Sequence, residues 1–234
     1  YNNTTKGKER LIMKKFLFII AMAITCTTTA QAVTWESSCG GKYKKEFFKP
    51  NYSFTVYKGD VGGCPADKEA RHSWQFSERE EVHSKPRFYN GGKWEWSAVV
   101  NIDRACRPAQ RSTIVQVHDG LHHHDGGPPS FLAVNAANHF MGAYGHFKDG
   151  RSSWRGGYGD FKVPNKPFHV KMIVDWNKGN FVKTQYWIDG QFLGHEQIMD
   201  KGIKKLYFKF GVYRVNSNCD LTQTYTGVKL RKVK

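Results

Sequence analysis

Beyond residue 33 no stretch of the chain keeps a hydrophobic period of 3.6 residues, which argues against helical bundles and α/β architectures. Long apolar runs are missing as well. The run Phe16 to Ile24 is too short to anchor a chain in a bilayer. Acidic residues are scarce, 20 against 36 Lys and Arg, so the formal charge is +16 and an anionic partner is expected. No paired carboxylates occur at sheet spacing in the E-x-D-x-x-E form that a sandwich-fold glycoside hydrolase would need. The five cysteines match no zinc pattern, no internal repeat is found, and no nucleic-acid recognition motif is present.

What is there is a chain of 234 residues with 39% hydrophobic and 15% aromatic residues, 7 of them Trp. That is enough apolar volume for one substantial core and too much for a disordered chain. Met13-Lys14-Lys15, the apolar run and Ala30-Gln31-Ala32 together have the form of a secretory signal peptide with a small-x-small cleavage site. Residues 1–32 are therefore expected to be a leader, with residues 1–12 an upstream or vector-derived extension. Residues 33–234 are expected to be a single domain, secreted or periplasmic and monomeric. Without the leader the chain keeps 31 basic and 19 acidic residues, so the positive charge belongs to the domain. Cys39, Cys64, Cys106 and Cys219 remain, an even number that suggests two disulfides in an exported protein. Three connectivities are open, and Cys39–Cys64 with Cys106–Cys219 is one of them.

Period-two segments bounded by Gly, Asn, Asp and Pro dominate the rest. Strands are expected at Ser53–Tyr57, Ser73–His83, Lys93–Ile102, Ser112–His118, Phe131–Asn135, Phe168–Trp176, Lys183–Ile188, Phe192–Gln197, Leu206–Arg214 and Thr224–Leu230. Asp189-Gly190 between two alternating runs is the type I′ hairpin signal. Pro128-Pro129 and the stretch Gly145–Gly159 read as surface loops. Ten short strands in one domain imply an all-β sandwich, a β-jelly roll.

Because side chains alternate across a sheet, each strand separates into two faces. In Tyr207 to Arg214, Phe208, Phe210 and Val212 share one face, and Tyr207, Lys209, Gly211 and Tyr213 share the other. Val115 and Val117 oppose Gln116 and His118, while Arg79, Glu81 and His83 share one face of their strand. A cationic and aromatic surface over an apolar layer suits β-elimination from a uronic acid. The C5 proton is weakly acidic, so the adjacent carboxylate must be neutralised as charge spreads into it, and Arg and Gln supply donors. His and Tyr can take the proton and assist departure of O4. The chemistry requires no metal, so no cofactor is expected; a structural ion is left open.

Tyr207-Phe208-Lys209-Phe210-Gly211-Val212-Tyr213 closely resembles the YFKAGVY signature of the alginate lyases of polysaccharide lyase family 7. Gln116-Val117-His118 is similar to their QIH/QVH motif, and Arg79-Glu80-Glu81-Val82-His83 to a degraded R-S/T-E-L/V-R motif, in the same order along the chain. The resemblance implies a concanavalin-like jelly roll that cleaves polyuronates. It implies that Arg79 and Gln116 neutralise the carboxylate, that His118 is the base or its helper, and that Tyr213 is the acid or acid/base. Lys209 would bind the anionic sugar, and Tyr207, Glu81, His83 and Arg214 would line the subsite. His83 stands where the second Arg is usual, Glu80 where Ser or Thr is, Phe210 where Ala is, and Arg214 where Asn is. The Lys209-Phe210-Gly211-Val212-Tyr213-Arg214 form is closer to jelly-roll lyases acting on glucuronan or heparin-like chains.

Plainer readings stand beside these. Arg79 and Glu81 can simply pair on their strand. His122-His123-His124-Asp125 reads as a solvated loop, since neighbouring residues in a Gly-rich segment point in different directions. Trp154 and Arg155, in a Gly/Arg loop, are expected to stack on and bind sugar. Lys204, Lys205, Lys229, Arg231, Lys232 and Lys234 form a solvated basic surface. The expected partner is an anionic polysaccharide, with neither nucleic acid nor membrane. The rival from another class is a binding module or lectin of the same fold, which inert residues at His118 or Tyr213 would have favoured.

Overall fold

A computed structural model of the chain describes residues 33–38, 50–58, 77–85, 87–103, 111–119, 130–144, 157–200, 202–215 and 219–234, all within one compact unit, Ala32–Lys234. Among them there is no helix. The strands are β1 (Thr34–Ser37), β2 (Asn51–Val56), β3 (Ser77–Lys85), β4 (Gly92–Ile102), β5 (Arg111–His118), β6 (Ser130–Asn135) and β7 (His139–Tyr144). They continue with β8 (Gly157–Lys162), β9 (Phe168–Asn177), β10 (Phe181–Ile188), β11 (Gln191–Met199), β12 (Tyr207–Val215) and β13 (Leu221–Val233).

These form two antiparallel sheets, ordered β1-β3-β12-β5-β6-β7-β8 and β11-β10-β9-β4-β13-β2, packed as a jelly-roll sandwich. The alternation that suggested strands is what fills the space between them. Phe210, the departure from Ala in the signature strand, is a hub of the core. Its ring lies 4.7 Å from Trp35 and 5.1 Å from Tyr52, both edge to face, and 4.9 Å from Tyr225 and 5.6 Å from Trp96, both tilted. Each such pair adds roughly 0.5–1.5 kcal/mol beyond its buried area. The β10–β11 connection is the expected type I′ turn, with positive φ at both Asp189 (49°) and Gly190 (82°).

All ten expected strands exist among the described residues, with ends shifted by a few positions; residues 73–76 of the second lie outside them. Three strands were not foreseen. β1 has only four residues and draws its stability from pairing with β3. β7 is a short strand with one glycine and β8 has two glycines in six residues, so their alternation is weak in sequence. The stretch Gly145–Gly159 therefore needs correction: β8 begins at Gly157, and 145–156 lie outside the described residues.

Glycine in this region has a packing reason. A Cβ on Gly142 would come within 2.3 Å of the Tyr158 hydroxyl, and one on Gly194 within 2.6 Å of the Tyr158 ring. The two glycines admit Tyr158 between the sheets, where its hydroxyl donates to Glu196 (2.7 Å). Ser130 (2.9 Å) and Tyr186 (3.3 Å) donate to the other carboxylate oxygen of Glu196. Burial raises the Glu196 pKa, and these three hydroxyls partly oppose the rise.

Candidate functional site

The register of the seven-stranded sheet decides which side chains meet. Across β3, β12, β5 and β6, one row holds His83, Lys209, Gln116 and Phe131. Another holds Arg79, Tyr213, Thr113 and Ala133. Between them Glu81 faces Gly211, and beyond the first row Tyr207 faces His118. Gln116, His118, Arg79, Tyr213, Tyr207, Lys209, Glu81 and His83 thus share the sheet face turned away from the core.

At the centre lies Glu81, only 1% exposed. Its Oε1 accepts from Gln116 Nε2 at 2.5 Å, and its Oε2 is 2.9 Å from Lys209 Nζ and 3.6 Å from Arg79 Nε. Lys209 is 5% exposed. Burial lowers its pKa, and Glu81 works against that shift. Lys209, expected to bind the anionic sugar, sets its charge against Glu81 on the same sheet face. The plain pairing of Arg79 with Glu81 is also present.

Two clusters flank this centre. On one side the rings of His118 and Tyr207 stack at 5.3 Å, His83 meets Tyr207 edge-on at 5.8 Å, and the Arg87 guanidinium lies 4.9 Å over Tyr207. His118 Nδ1 is 3.6 Å from Asp119. Burial, then the Arg87 charge, lowers the His83 pKa to about 4, so His83 is neutral near pH 7. It does not restore the charge of the arginine it stands in for. Burial raises the Tyr207 pKa, with Arg87 opposing. On the other side Arg79 sits 4.2 Å over the Tyr213 ring. Arg111 lies 5.8 Å from the same ring and rests 4.9 Å over Phe131; burial lowers its pKa and the Tyr213 side chain opposes that shift.

Sequence reasoning missed Arg87 and Arg111. Arg87 lies past the end of β3. For Arg111 the cause is a bulge. Counting back from His118 by twos reaches Ser112, which puts Arg111 on the core side. The register instead slips at Ile114 against β6, and two residues of β12, Gly211 and Val212, span the same step. A bulge bends the strand and re-aims the residues before it. Thr113 and Arg111 turn outward, and Ser112 turns inward to accept from Gln223 at 2.7 Å. The Tyr225 hydroxyl, from the opposite sheet, supports the irregularity at 2.9 Å from the Ile114 carbonyl and 3.1 Å from that of Gly211. An arginine falling on a core position was the available sign that alternation breaks there.

The Arg214 side chain, Trp154, Arg155 and the His122–Asp125 run lie outside the described residues. No group of three or more metal-ligating side chains occurs among the described residues. Charges on the site face include Arg79, Lys85, Arg87, Arg111 and Lys209 against Glu36, Glu81 and Asp119, an excess that favours an anionic ligand.

No family profile matches the sequence, and no curated protein matches it. Solved structures do. The endo-β-1,4-glucuronan lyase of the fungus Trichoderma reesei is 12% identical with a TM-score of 0.55, covering 90% of this chain and 92% of its own. The marine family 7 alginate lyase AlyA1 of Zobellia galactanivorans is 12% identical with a TM-score of 0.55, over 84% and 86%. A family 7 alginate lyase in complex with product is 13% identical with a TM-score of 0.59, over 86% and 95%. At these identities the likeness is one of fold: this chain has the jelly roll of polysaccharide lyases.

Proposed function

We propose that this protein is a polysaccharide lyase that cleaves a uronate-containing polymer by β-elimination. The observation that carries the reading is Tyr213 between two guanidiniums on the sheet face that also presents Gln116 and His118. The fold likeness to alginate and glucuronan lyases and the sequence motifs support it.

In this reading Arg79 and Gln116 face the uronate carboxylate and stabilise the charge that spreads into it, an effect worth several kcal/mol. A base takes the C5 proton, and the C–H electron pair becomes the C4=C5 double bond. The C4–O4 bond breaks, and a proton passes to O4. His118 is the base or its helper, and the Tyr213 hydroxyl supplies the proton to O4. Each proton transfer contributes roughly 10²–10⁴-fold. Glu81 and Lys209 stay beneath the sugar and hold Gln116 and Arg79 in place. No metal is needed for these steps. A polymeric substrate fits the export expected from residues 1–32, and both belong to this proposal.

One observation favours a variant of this scheme: the ring stacked on His118 is Tyr207, which makes Tyr207 the second candidate for the acid. The test of the class is incubation with alginate, polyglucuronate, heparin and pectate, followed by ultraviolet absorbance of the unsaturated product. Absorbance growing on one or more polymers is expected. Polymer retention without any absorbance change would instead establish the binding-module reading.

A further inference from the structure

We propose that Arg111 is a positioning residue for Tyr213: its guanidinium occupies one side of the hydroxyl oxygen, so that the O–H proton is aimed at the leaving O4. This rests on the lyase reading above and assigns a role to a residue that the motifs do not contain.

Arg111 reaches the site face only because the β5 bulge at Ile114 reverses the alternation, and that bulge is held from below by Tyr225. Once there, its guanidinium lies against two aromatic rings. It lies 4.9 Å over the Phe131 ring, which belongs to a small apolar cluster with Ala133 and Met141 on the same face, and 5.8 Å from the centre of the Tyr213 ring. Arginine has five N–H donors and no acceptor. A bond between it and the Tyr213 hydroxyl can therefore run only from N–H to the phenolic oxygen, which leaves the hydroxyl's own proton to point elsewhere. Arg79 lies 4.2 Å over the face of the same ring, so the ring plane is fixed as well.

Chemistry gives this arrangement its use. When Tyr213 passes its proton to O4, the proton leaves the phenolic oxygen, the C4–O4 bonding pair stays with O4, and negative charge grows on the phenolic oxygen. A donor already bonded to that oxygen meets the charge as it forms and needs no reorganisation, which is where fixed donors contribute most. Burial lowers the Arg111 pKa, but a guanidinium remains charged at neutral pH. A residue that only gripped a sugar carboxylate would change substrate binding. Arg111 is expected to change the chemical step.

The experiment compares Arg111→Ala, Arg111→Lys, Tyr213→Phe and wild type on whichever polyuronate is cleaved, with thermal unfolding of each as a control for folding. Arg111→Ala is expected to lose roughly 10–100-fold in kcat with KM within about threefold. Arg111→Lys is expected to recover part of the loss. Added guanidinium ion is expected to rescue Arg111→Ala and not Tyr213→Phe. A readout independent of turnover is the ¹³Cζ signal of labelled Tyr213, assigned by its loss in Tyr213→Phe: it should move in Arg111→Ala and return partway in Arg111→Lys. If Arg111→Ala does not fold, the Lys variant alone decides, by a lowered kcat and a shifted signal. A raised KM with unchanged kcat, or an unmoved Tyr213 signal, overturns the proposal. A wild type that produces no unsaturated sugar from any polyuronate ends the lyase reading itself, and the carbon signal then still decides whether Arg111 holds the hydroxyl.

Discussion

Gly211 lies directly opposite Glu81 on the β3–β12 ladder, and nothing larger than hydrogen fits there: a Cβ would be 2.4 Å from the Glu80 carbonyl oxygen and 2.8 Å from Glu81 Cα. Its φ of +133° is a region that side chains other than hydrogen rarely enter. Gly211→Ala should therefore destabilise the fold by at least 1–3 kcal/mol, roughly the cost of such backbone strain, and should disturb Tyr213 two residues on. The urea midpoint measures the first effect and turnover the second. An alanine variant with an unchanged midpoint would mean that β12 relaxes at no cost.

The buried Glu81–Lys209 pair makes a second prediction. Removing Glu81 leaves a buried ammonium without its partner, which costs about 3–5 kcal/mol. Glu81→Ala should be strongly destabilised, and the double variant Glu81→Leu with Lys209→Met should regain most of that loss. Neither should regain activity, because the carboxylate that orients Gln116 is gone. A double mutant that turns over normally would remove Glu81 from the site's organisation.

The two tyrosines can be told apart. Tyr213→Phe should lower elimination by roughly 10²–10⁴-fold while polymer binding is kept, since only a proton donor is lost. Tyr207→Phe keeps the ring stacked on His118 and should cost less than tenfold. The reverse ranking in initial rates would transfer the acid's role to Tyr207.

Two buried groups should tilt stability with pH in opposite senses. Burial raises the Glu196 pKa above its ordinary 4.5, so between 4.5 and the raised value the folded protein binds more protons than the unfolded one. That contribution is full below pH 4.5 and is lost as pH rises. For His83, lowered from 6.5 to about 4, the unfolded chain binds more protons between those values. Its contribution is present above pH 6.5 and is lost as pH falls towards 4. In urea midpoints measured across this range, Glu196→Gln should make the slope with pH more positive and His83→Asn should make it less so. Parallel slopes in both variants would rule these groups out as its source.

Capture of a polyanion by a surface of this charge should weaken as salt shortens the reach of its field. We expect kcat/KM to fall by about tenfold between roughly 0.05 and 0.5 M salt, with kcat changing far less. A flat profile would count against electrostatic capture.

Much of this was legible in the chain. Alternation with turn residues pointed to a sandwich because a strand half facing a core has little choice of pattern, and every expected strand recurs in the fold. Gln116, His118, Arg79 and Tyr213 meet on one sheet face because motif spacing survives translation into register. The short strands β7 and β8 were not legible: three of their twelve residues are glycine, which carries no side chain with which to mark a face. The Glu196 cluster was not legible either: its four members come from β6, β8, β10 and β11 and meet only between the sheets.

Composition and periodicity by themselves determined the fold class, the positive charge and the identity of the polar side chains on three strands, because those depend on residue type and a period of two. Only the tertiary structure decided that Lys209 points at Glu81 instead of outward, that His118 stacks on Tyr207, and that Arg111 joins Tyr213. Each of these depends on register between strands distant in the chain. One bulge shifts that register by a residue, and the shift is enough to carry an arginine from the expected core side to the site.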